Sequence, residues 1–182
     1  MAKYAVYLGL GSNLGDRAEN LRRGLRLLAE GGAQPQAVSR VYQTAPWGGV
    51  PQPDFYNLAA LVGTDLPPPQ LLQLAKATER VVGRQPGPRW GARVLDIDIL
   101  LYRELTFSAE GLKIPHVDMH RRAFVLIPLL ELAPELTIPG RGGAAQLLAA
   151  LPPEEKQGVV PVLDLAAWPD SKPLAVAAST EK

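Results

Sequence analysis

The chain of 182 residues contains no cysteine and only two histidines, His116 and His120. The absence of cysteine excludes a disulfide framework, a thiolate nucleophile and a zinc site with cysteine ligands. Two histidines are too few for a histidine-rich metal site. The sequence therefore excludes covalent thiol chemistry and metal centres built from cysteine or from several histidines.

Excess charge and long apolar runs are also missing. Nineteen Lys and Arg residues balance eighteen Asp and Glu residues, so the net charge of +1 gives no indication of a nucleic-acid partner. The most apolar stretch, residues 123–136, is interrupted by Pro128, Glu131 and Pro134 and is too short to span a bilayer. Residues 1–10 lack the apolar core and cleavage site of a signal peptide. We expect a cytoplasmic protein that binds neither nucleic acid nor a membrane.

Hydrophobic periodicity and turn residues predict four strands and two helices in the first part of the chain. The strands are predicted at 3–10, 36–42, 54–62 and 93–102, and the helices at 16–31 and 67–82. The order βαββαβ is typical of an α+β, ferredoxin-like sandwich with an antiparallel sheet. Two Pro/Gly-rich loops, 43–53 and 84–89, connect these elements.

C-terminal additions to the sandwich are predicted from residue 112 onward. They comprise a segment at 112–115, a helix at about 120–132 and an Ala/Pro/Gly-rich region after Pro139. We expect one domain over residues 1–170 and a flexible tail over 171–182.

The run Trp90-Gly91-Ala92-Arg93-Val94-Leu95-Asp96-Ile97-Asp98 is the most informative stretch. Side chains alternate along a strand, so Asp96 and Asp98 share one face, with Cα atoms about 6.6 Å apart. Two like charges beside a core cost free energy unless a cation lies between them. Mg²⁺ fits, because it binds one or two carboxylates together with water and substrate phosphates. The alternative is a strand whose carboxylates face water.

Basic side chains surround this strand. They are Arg84, Arg89 and Arg93 on one side and His116, Arg121 and Arg122 after it. Arginine offers paired donors that fit phosphate oxygens, so a carboxylate pair facing this cluster suits phosphoryl-type transfer. The alternative is a solvated face in which the arginines pair with Glu79, Glu104 and Glu131. The sequence Gly9-Leu10-Gly11-Ser12-Asn13-Leu14-Gly15 resembles a phosphate-binding loop, although a tight structural turn is the better interpretation.

Phe55 and Asn57 are predicted to share one face of the third strand. An aromatic ring beside an amide suits a flat heterocycle, which stacks on the ring while the amide binds its polar edge. Phe124 is a candidate for the opposite side of that heterocycle. The alternative is that these side chains pack in the core.

Together these motifs resemble the 6-hydroxymethyl-7,8-dihydropterin pyrophosphokinases of folate biosynthesis, and the matches extend over residues 8–136. The matching motifs are Gly9-Leu10-Gly11-Ser12-Asn13-Leu14-Gly15-Asp16, Tyr42-Gln43-Thr44-Ala45-Pro46, Gln52-Pro53-Asp54-Phe55-Tyr56-Asn57, Glu79 with Gly83-Arg84, residues 90–98, and Pro115-His116-Val117-Asp118-Met119 with Arg122 and Phe124. Three positions depart from the family pattern: the Gln85-Pro86-Gly87-Pro88 loop, Gly111 and Val117.

The resemblance implies transfer of the terminal diphosphate of ATP to the pterin hydroxymethyl group, with release of AMP. It implies two Mg²⁺ ions held by Asp96 and Asp98, and Arg84 and Arg93 as catalytic arginines. The implied ATP-binding residues are Glu79, Trp90, Ile99, His116 and Arg122. The implied pterin-binding residues are Thr44, Pro46, Trp47, Phe55, Asn57 and Phe124. We expect a monomer that acts on these two small molecules.

Two other functions fit the predicted topology. A non-catalytic module that senses a nucleotide or a pterin would need the stacking face but not the paired carboxylates. An RNA-binding domain of similar topology is disfavoured by the balanced charge and by central strands without the expected aromatic pattern. Formation of AMP from ATP and the reduced pterin distinguishes the enzyme from both.

Overall fold

The structure is a computed structural model that describes residues 2–46, 51–87 and 91–165. The expectations for Trp47, Arg89, Trp90 and the tail at 171–182 concern residues outside these ranges. The strands are β1 (Tyr4–Ser12), β2 (Ala33–Val38), β3 (Val41–Thr44), β4 (Phe55–Thr64), β5 (Asp96–Tyr102), β6 (Phe107–Ala109), β7 (Leu112–Ile114), β8 (Thr137–Ile138), β9 (Gly142–Gly143) and β10 (Val160–Leu163). The helices are α1 (Arg17–Glu30), α2 (Pro68–Val82), α3 (Ala123–Leu132), α4 (Ala144–Ala150) and α5 (Pro153–Gln157), with a 3₁₀ turn at Met119–Arg121.

The main sheet is antiparallel and has the order β10-β3-β4-β1-β5, with β2 also paired to β4. The central strand β1 pairs with β4 on one side and with β5 on the other. The α+β class and the antiparallel sheet predicted from the sequence are confirmed. The C-terminal additions contribute β10, which extends the sheet beyond β3.

The predicted single strand at 36–42 is wrong, because this segment forms two strands, β2 and β3. Between them, the Ser39 amide donates to the Ala59 carbonyl at 2.9 Å. The Ala59 amide in turn donates to the Ser39 hydroxyl oxygen at 2.9 Å. A side-chain oxygen thus replaces one backbone partner and interrupts the regular pairing with β4.

Both long helices cover one face of the sheet. Helix α1 begins after Asp16, whose carboxylate accepts a hydrogen bond from the Glu19 amide at 3.0 Å, as the capping pattern predicted. The apolar stripes of both helices pack on alternate residues of β1 and β5. The buried cluster includes Leu21, Leu25 and Leu28 of α1, Leu71, Ala75 and Val82 of α2, and Val6, Leu8, Leu10, Ile97 and Ile99 of the strands.

The opposite face of the sheet is covered over only part of its area. Helices α3 and α4 pack there against Ala59, Leu100 and Leu101 in a second buried cluster. The remaining part of this face carries Gly9, Gly11 and the side chains beside them and is left open as a cavity. Within the described ranges, no helix is long and apolar enough to cross a bilayer.

Three predicted boundaries are corrected by the structure. The strand predicted at 3–10 continues through Ser12, so residues 11 and 12 belong to β1 and not to a turn. The turn itself lies at Gly15, which has a positive φ of 64°. The strand predicted at 93–102 begins at Asp96. The helix predicted at 120–132 begins at Ala123, because Arg122 has extended backbone angles that separate the helix from the preceding 3₁₀ turn.

Candidate active site

A cavity of about 320 Å³ lies on the open face of the sheet. Most of the described residues that the sequence nominated meet in it. These are Thr44, Phe55, Asn57, Arg93, Asp96, Asp98, His116, Arg122 and Phe124. Because the lining combines two aromatic rings, two arginines and the three carboxylates of Asp96, Asp98 and Asp118, the cavity suits a ligand that is flat at one end and is a metal-bound anion at the other.

The strand register explains why these side chains meet. Gly11 pairs with Asn57 on β4 and with Asp96 on β5, and Gly9 pairs with Asp98 on β5. A Cβ atom at Gly11 would lie 2.7 Å from Asn57 Oδ1, which is closer than real contacts allow. The glycine therefore makes the floor of the cavity. Sequence reasoning missed this role because it assigned residue 11 to a turn; continuing the alternation of β1 through Ser12 would have found it.

One end of the cavity presents the aromatic rings and an amide. The Asn57 amide nitrogen donates to Thr44 Oγ1 at 2.8 Å, which fixes the orientation of the carboxamide. Phe55 and Phe124 line the same cavity from β4 and α3. Pro46 is described but is not among the lining residues; its neighbour Ala45 is. This end has the residue types that the sequence predicted for a flat heterocycle.

The other end contains alternating charges. Arg84 Nη1 lies 2.6 Å from Asp96 Oδ1, and Arg93 Nη1 lies 2.7 Å from Asp96 Oδ2. Arg93 lines the cavity, whereas Arg84 is not among its lining residues and reaches it only through Asp96. Burial opposes ionisation of Asp96, but the two guanidinium groups outweigh it and lower the pKa of this carboxyl. Asp96 is therefore an ionised carboxylate whose two oxygens are already paired with arginine.

Asp98 has a different environment. Within the described part of the chain, no group donates a hydrogen bond to its carboxylate. Burial and the neighbouring charge of Asp96 raise the pKa of Asp98. A cation beside both carboxylates would relieve this cost. No group of three or more Asp, Glu, His or Cys side chains with metal-binding geometry occurs among the described residues, so other ligands would have to come from water or phosphate, as is usual for Mg²⁺.

Two residues implied as ATP ligands lie elsewhere. The Glu79 side chain is 2% exposed and binds Arg84 Nη1 at 2.6 Å and Lys76 Nζ at 2.9 Å. It also accepts a hydrogen bond from the Ile97 amide at 2.8 Å. Glu79 thus positions Arg84 and β5. Ile99 is buried in the core beneath α1 and α2, on the opposite face from the two aspartates, so its side chain does not reach the cavity.

The segment after β7 closes the charged end. Arg122 Nη2 lies 3.2 Å from Asp118 Oδ2, and the Asp118 amide donates to His116 Nδ1 at 3.3 Å. The arginines at 121 and 122 outweigh partial burial and lower the pKa of Asp118. Asp118 belongs to the sequence motif but was not predicted as a site residue. It orients Arg122 and His116 toward the cavity.

Comparison with known proteins identifies the family. The model of the family described as 7,8-dihydro-6-hydroxymethylpterin-pyrophosphokinase (HPPK) matches residues 7–134. The chain belongs to the HPPK family. It is therefore a pyrophosphokinase, as the sequence motifs predicted.

Curated HPPK relatives cover most of the chain. The 2-amino-4-hydroxy-6-hydroxymethyldihydropteridine pyrophosphokinase of Methylorubrum extorquens is 44% identical over 149 residues, which is 81% of this chain and 94% of that protein. The enzyme of the same name from Pseudomonas aeruginosa is 43% identical over 150 residues, 81% of this chain and 91% of that protein. A mitochondrial folate synthesis bifunctional protein of Arabidopsis thaliana is 43% identical, but the match covers only 24% of its length.

Solved structures share the HPPK fold. An HPPK-DHPS protein in complex with substrates has a TM-score of 0.66 at 14% identity, covering 82% of this chain and 43% of that one. Plasmodium falciparum HPPK-DHPS with pterin and p-hydroxybenzoate has a TM-score of 0.63 at 17% identity, covering 80% and 41%. The chain thus spans less than half of these two-part proteins, and at such identities the likeness shows the fold alone.

Proposed function

We propose that this chain transfers the terminal diphosphate of ATP to the hydroxymethyl oxygen of 6-hydroxymethyl-7,8-dihydropterin. The supporting observation is that one cavity joins the amide and aromatic end to the carboxylate and arginine end. Asn57 and Asp96 flank Gly11 on neighbouring strands, so their Cα atoms are two strand spacings, about 9.6 Å, apart. This separation places a bound heterocycle next to a bound phosphate chain.

The amide and aromatic end would bind the pterin. Phe55 and Phe124 would stack on its two faces, and Asn57, oriented by Thr44, would bind its polar edge. The implied contact of Trp47 with the pterin stays part of this proposal. Stacking and edge binding fix the hydroxymethyl group, which supplies the nucleophilic oxygen.

The charged end would bind the ATP phosphates. In the reaction, the hydroxymethyl oxygen forms a bond to the β-phosphorus, and the bond between this phosphorus and the α,β-bridging oxygen breaks. AMP then leaves with that oxygen, and the hydroxyl proton is released. Arg84, Arg93, His116 and Arg122 are the groups that would neutralise the phosphate charge during this step.

Asp96 and Asp98 fit a Mg²⁺ site, because both are half-buried on one face and because burial and the charge of Asp96 outweigh the nearby cationic groups and raise the pKa of Asp98. We propose that they hold two Mg²⁺ ions, which would supply charge neutralisation to the phosphates. Arg84 and Arg93 already contact Asp96, so phosphates held by Mg²⁺ at this carboxylate would lie within their reach.

A product assay tests this function. The protein is mixed with ATP, MgCl₂ and the reduced pterin, and nucleotides are separated by chromatography while phosphorus NMR follows the new diphosphate ester. The proposal expects AMP and pterin diphosphate in equal amounts, with none in EDTA. Release of ADP, or binding of both ligands without AMP, would contradict it; the second result would favour the ligand-sensing module.

Asp96→Asn and Asp65→Asn form a matched pair for this assay. Asp65 is exposed and accepts a hydrogen bond from the Lys3 amide, at the opposite end of the sheet from the cavity. The same change of charge should therefore stop AMP formation at Asp96 and leave it unchanged at Asp65. An equal effect at both positions would indicate a general effect of charge.

A further inference from the structure

A buried asparagine connects the two ends of the cavity. Asn13 follows β1 directly and is 2% exposed. Its side chain lines neither end of the cavity. The role of this residue is not explained by stacking on the pterin or by contact with phosphate.

Four hydrogen bonds attach Asn13 to two separate segments. On one side, the Arg93 amide donates to Asn13 Oδ1 at 2.7 Å, and the Asn13 amide donates to the Arg93 carbonyl at 3.0 Å. On the other side, Asn13 Nδ2 donates to Gln52 Oε1 at 3.0 Å and to the Pro53 carbonyl at 3.0 Å. The side chain therefore uses its acceptor for one segment and both donors for the other.

The two segments lead to opposite ends of the cavity. Arg93 contacts Asp96 three residues later, at the start of β5. Gln52 lines the cavity and lies three residues before Phe55, at the start of β4. Strands β4 and β5 do not touch, because β1 lies between them. The end of β1 reaches both segments, and Asn13 occupies that position.

We propose that Asn13 is a positioning residue that couples the binding of the two substrates. Phosphate contacts would order the backbone at 91–95, and the hydrogen bonds of the Asn13 carboxamide would then order residues 51–54. A bound pterin would order residues 51–54 first and, through the same hydrogen bonds, residues 91–95. Such coupling must be reciprocal, so each ligand raises the affinity for the other by the same factor. The proposal rests on the proposed function, because it assumes that both ligands occupy this cavity.

Calorimetry measures the coupling directly. The Kd of the pterin is determined with and without saturating Mg²⁺ and α,β-methylene ATP, an analogue in which the bond to be broken is replaced. The ratio of the two values is the coupling factor, expected to be about 5- to 150-fold for the unchanged chain. The converse titration, analogue into protein with and without pterin, must give the same factor.

Three variants separate coupling from structural support. Asn13→Ala should reduce the coupling factor to about 1, while each ligand alone binds within about threefold of its normal Kd. Asn13→Asp keeps the acceptor for Arg93 but loses both donors to Gln52 and Pro53. It should also abolish the coupling, at a greater cost in stability, because its buried carboxylate would face two acceptor oxygens. Gln52→Ala removes one of the two hydrogen bonds that Asn13 Nδ2 donates, so it should reduce the coupling factor without abolishing it.

Gln43→Ala is the matched control. Gln43 Nε2 donates to Asp54 Oδ2 at 2.8 Å, so this variant removes a glutamine hydrogen bond to the same segment without touching Asn13. Its coupling factor should equal that of the unchanged chain. If the Asn13 variants do not fold, as judged by their melting temperatures, Gln52→Ala against Gln43→Ala decides the question.

Several outcomes would overturn the inference. One is a normal coupling factor in folded Asn13 variants. Another is an equal loss of coupling in Gln43→Ala. A third is a large loss of affinity for each ligand when it is tested alone. An unchanged chain with no coupling would also overturn it. Failure of the proposed function is a different result, because the unchanged chain would then not bind the pterin and the analogue or not form AMP from ATP.

Discussion

Substitution of Gly11 by alanine tests whether the floor of the cavity controls pterin binding. The new Cβ atom would lie 2.7 Å from Asn57 Oδ1 and 3.6 Å from Phe55 Cδ1. Since a carbon–oxygen contact needs about 3.3 Å, the Asn57 carboxamide must move by about 0.6 Å. This shift acts against its 2.8 Å hydrogen bond from Nδ2 to Thr44 and turns the amide away from the pterin edge.

The expected cost follows from the hydrogen bonds lost. Leaving a buried edge group unpaired costs about 1–3 kcal/mol, so the pterin Kd should rise by about 5- to 150-fold. The affinity for Mg²⁺ and α,β-methylene ATP should change by less than about twofold, because the three atoms nearest to the new methyl group belong to Asn57 and Phe55 and none to Asp96 or Asp98. Gly11 has no positive φ, so alanine fits the backbone without strain.

Gly9→Ala is the control for this experiment. Its Cβ would point to the same face of β1, but its three nearest atoms would be those of the Leu100 side chain, at 3.4–3.7 Å, which is ordinary contact. Calorimetry with each ligand and a thermal melt should be run on both variants. A pterin Kd within about twofold of normal in folded Gly11→Ala, or an equal rise in Gly9→Ala, would refute the reasoning.

Substitutions at three further positions address the charged residues. Asp98→Asn should lower turnover at least about 10³-fold, and unchanged turnover with Mg²⁺ would contradict the metal assignment. The same change should stabilise the ligand-free protein at neutral pH by about 1 kcal/mol, because it removes a buried charge beside Asp96. Glu79→Ala should lower the free energy of unfolding in urea by about 2–3 kcal/mol, because the buried Ile97 amide and Arg84 lose their acceptor, and Glu79→Gln should lower it less. Equal stability of the unchanged chain and both variants would exclude a positioning role for Glu79. Arg93→Ala should lower kcat about 10²-fold and change the Kd for ATP by less than about threefold, because a contact of Arg93 with phosphate would replace its existing pair with Asp96. A variant with weaker ATP binding and unchanged kcat would contradict this prediction.

Local patterns in the sequence predicted much of the site. Alternation along a strand placed Asp96 with Asp98, and Phe55 with Asn57, because the faces of a strand depend only on residue spacing. The order of helices and strands predicted the antiparallel sandwich, since each helical stripe must be buried on one side of the sheet. The same spacing also predicts that Ile99 faces away from Asp98. The contact with ATP that the family resemblance implies at Ile99 stays a prediction.

Other features depend on contacts between distant segments, which no local pattern reports. Ser39 interrupts a predicted strand because its hydroxyl binds Ala59, twenty residues away. Glu79 faces Arg84 and the Ile97 amide because α2 packs beside β5. Its carboxylate therefore holds Arg84 and β5 in place, and its implied contact with ATP stays a prediction.

The chain by itself determined which side chains are available and which face of each element carries them. The tertiary structure decided how close they come: placing β1 between β4 and β5 makes Gly11 the neighbour of both Asn57 and Asp96. It also brings Asn13 between Gln52 and Arg93, which are 41 residues apart in the chain. The physical reason is that backbone hydrogen bonds between paired strands fix which residues lie opposite each other, whatever their separation in sequence.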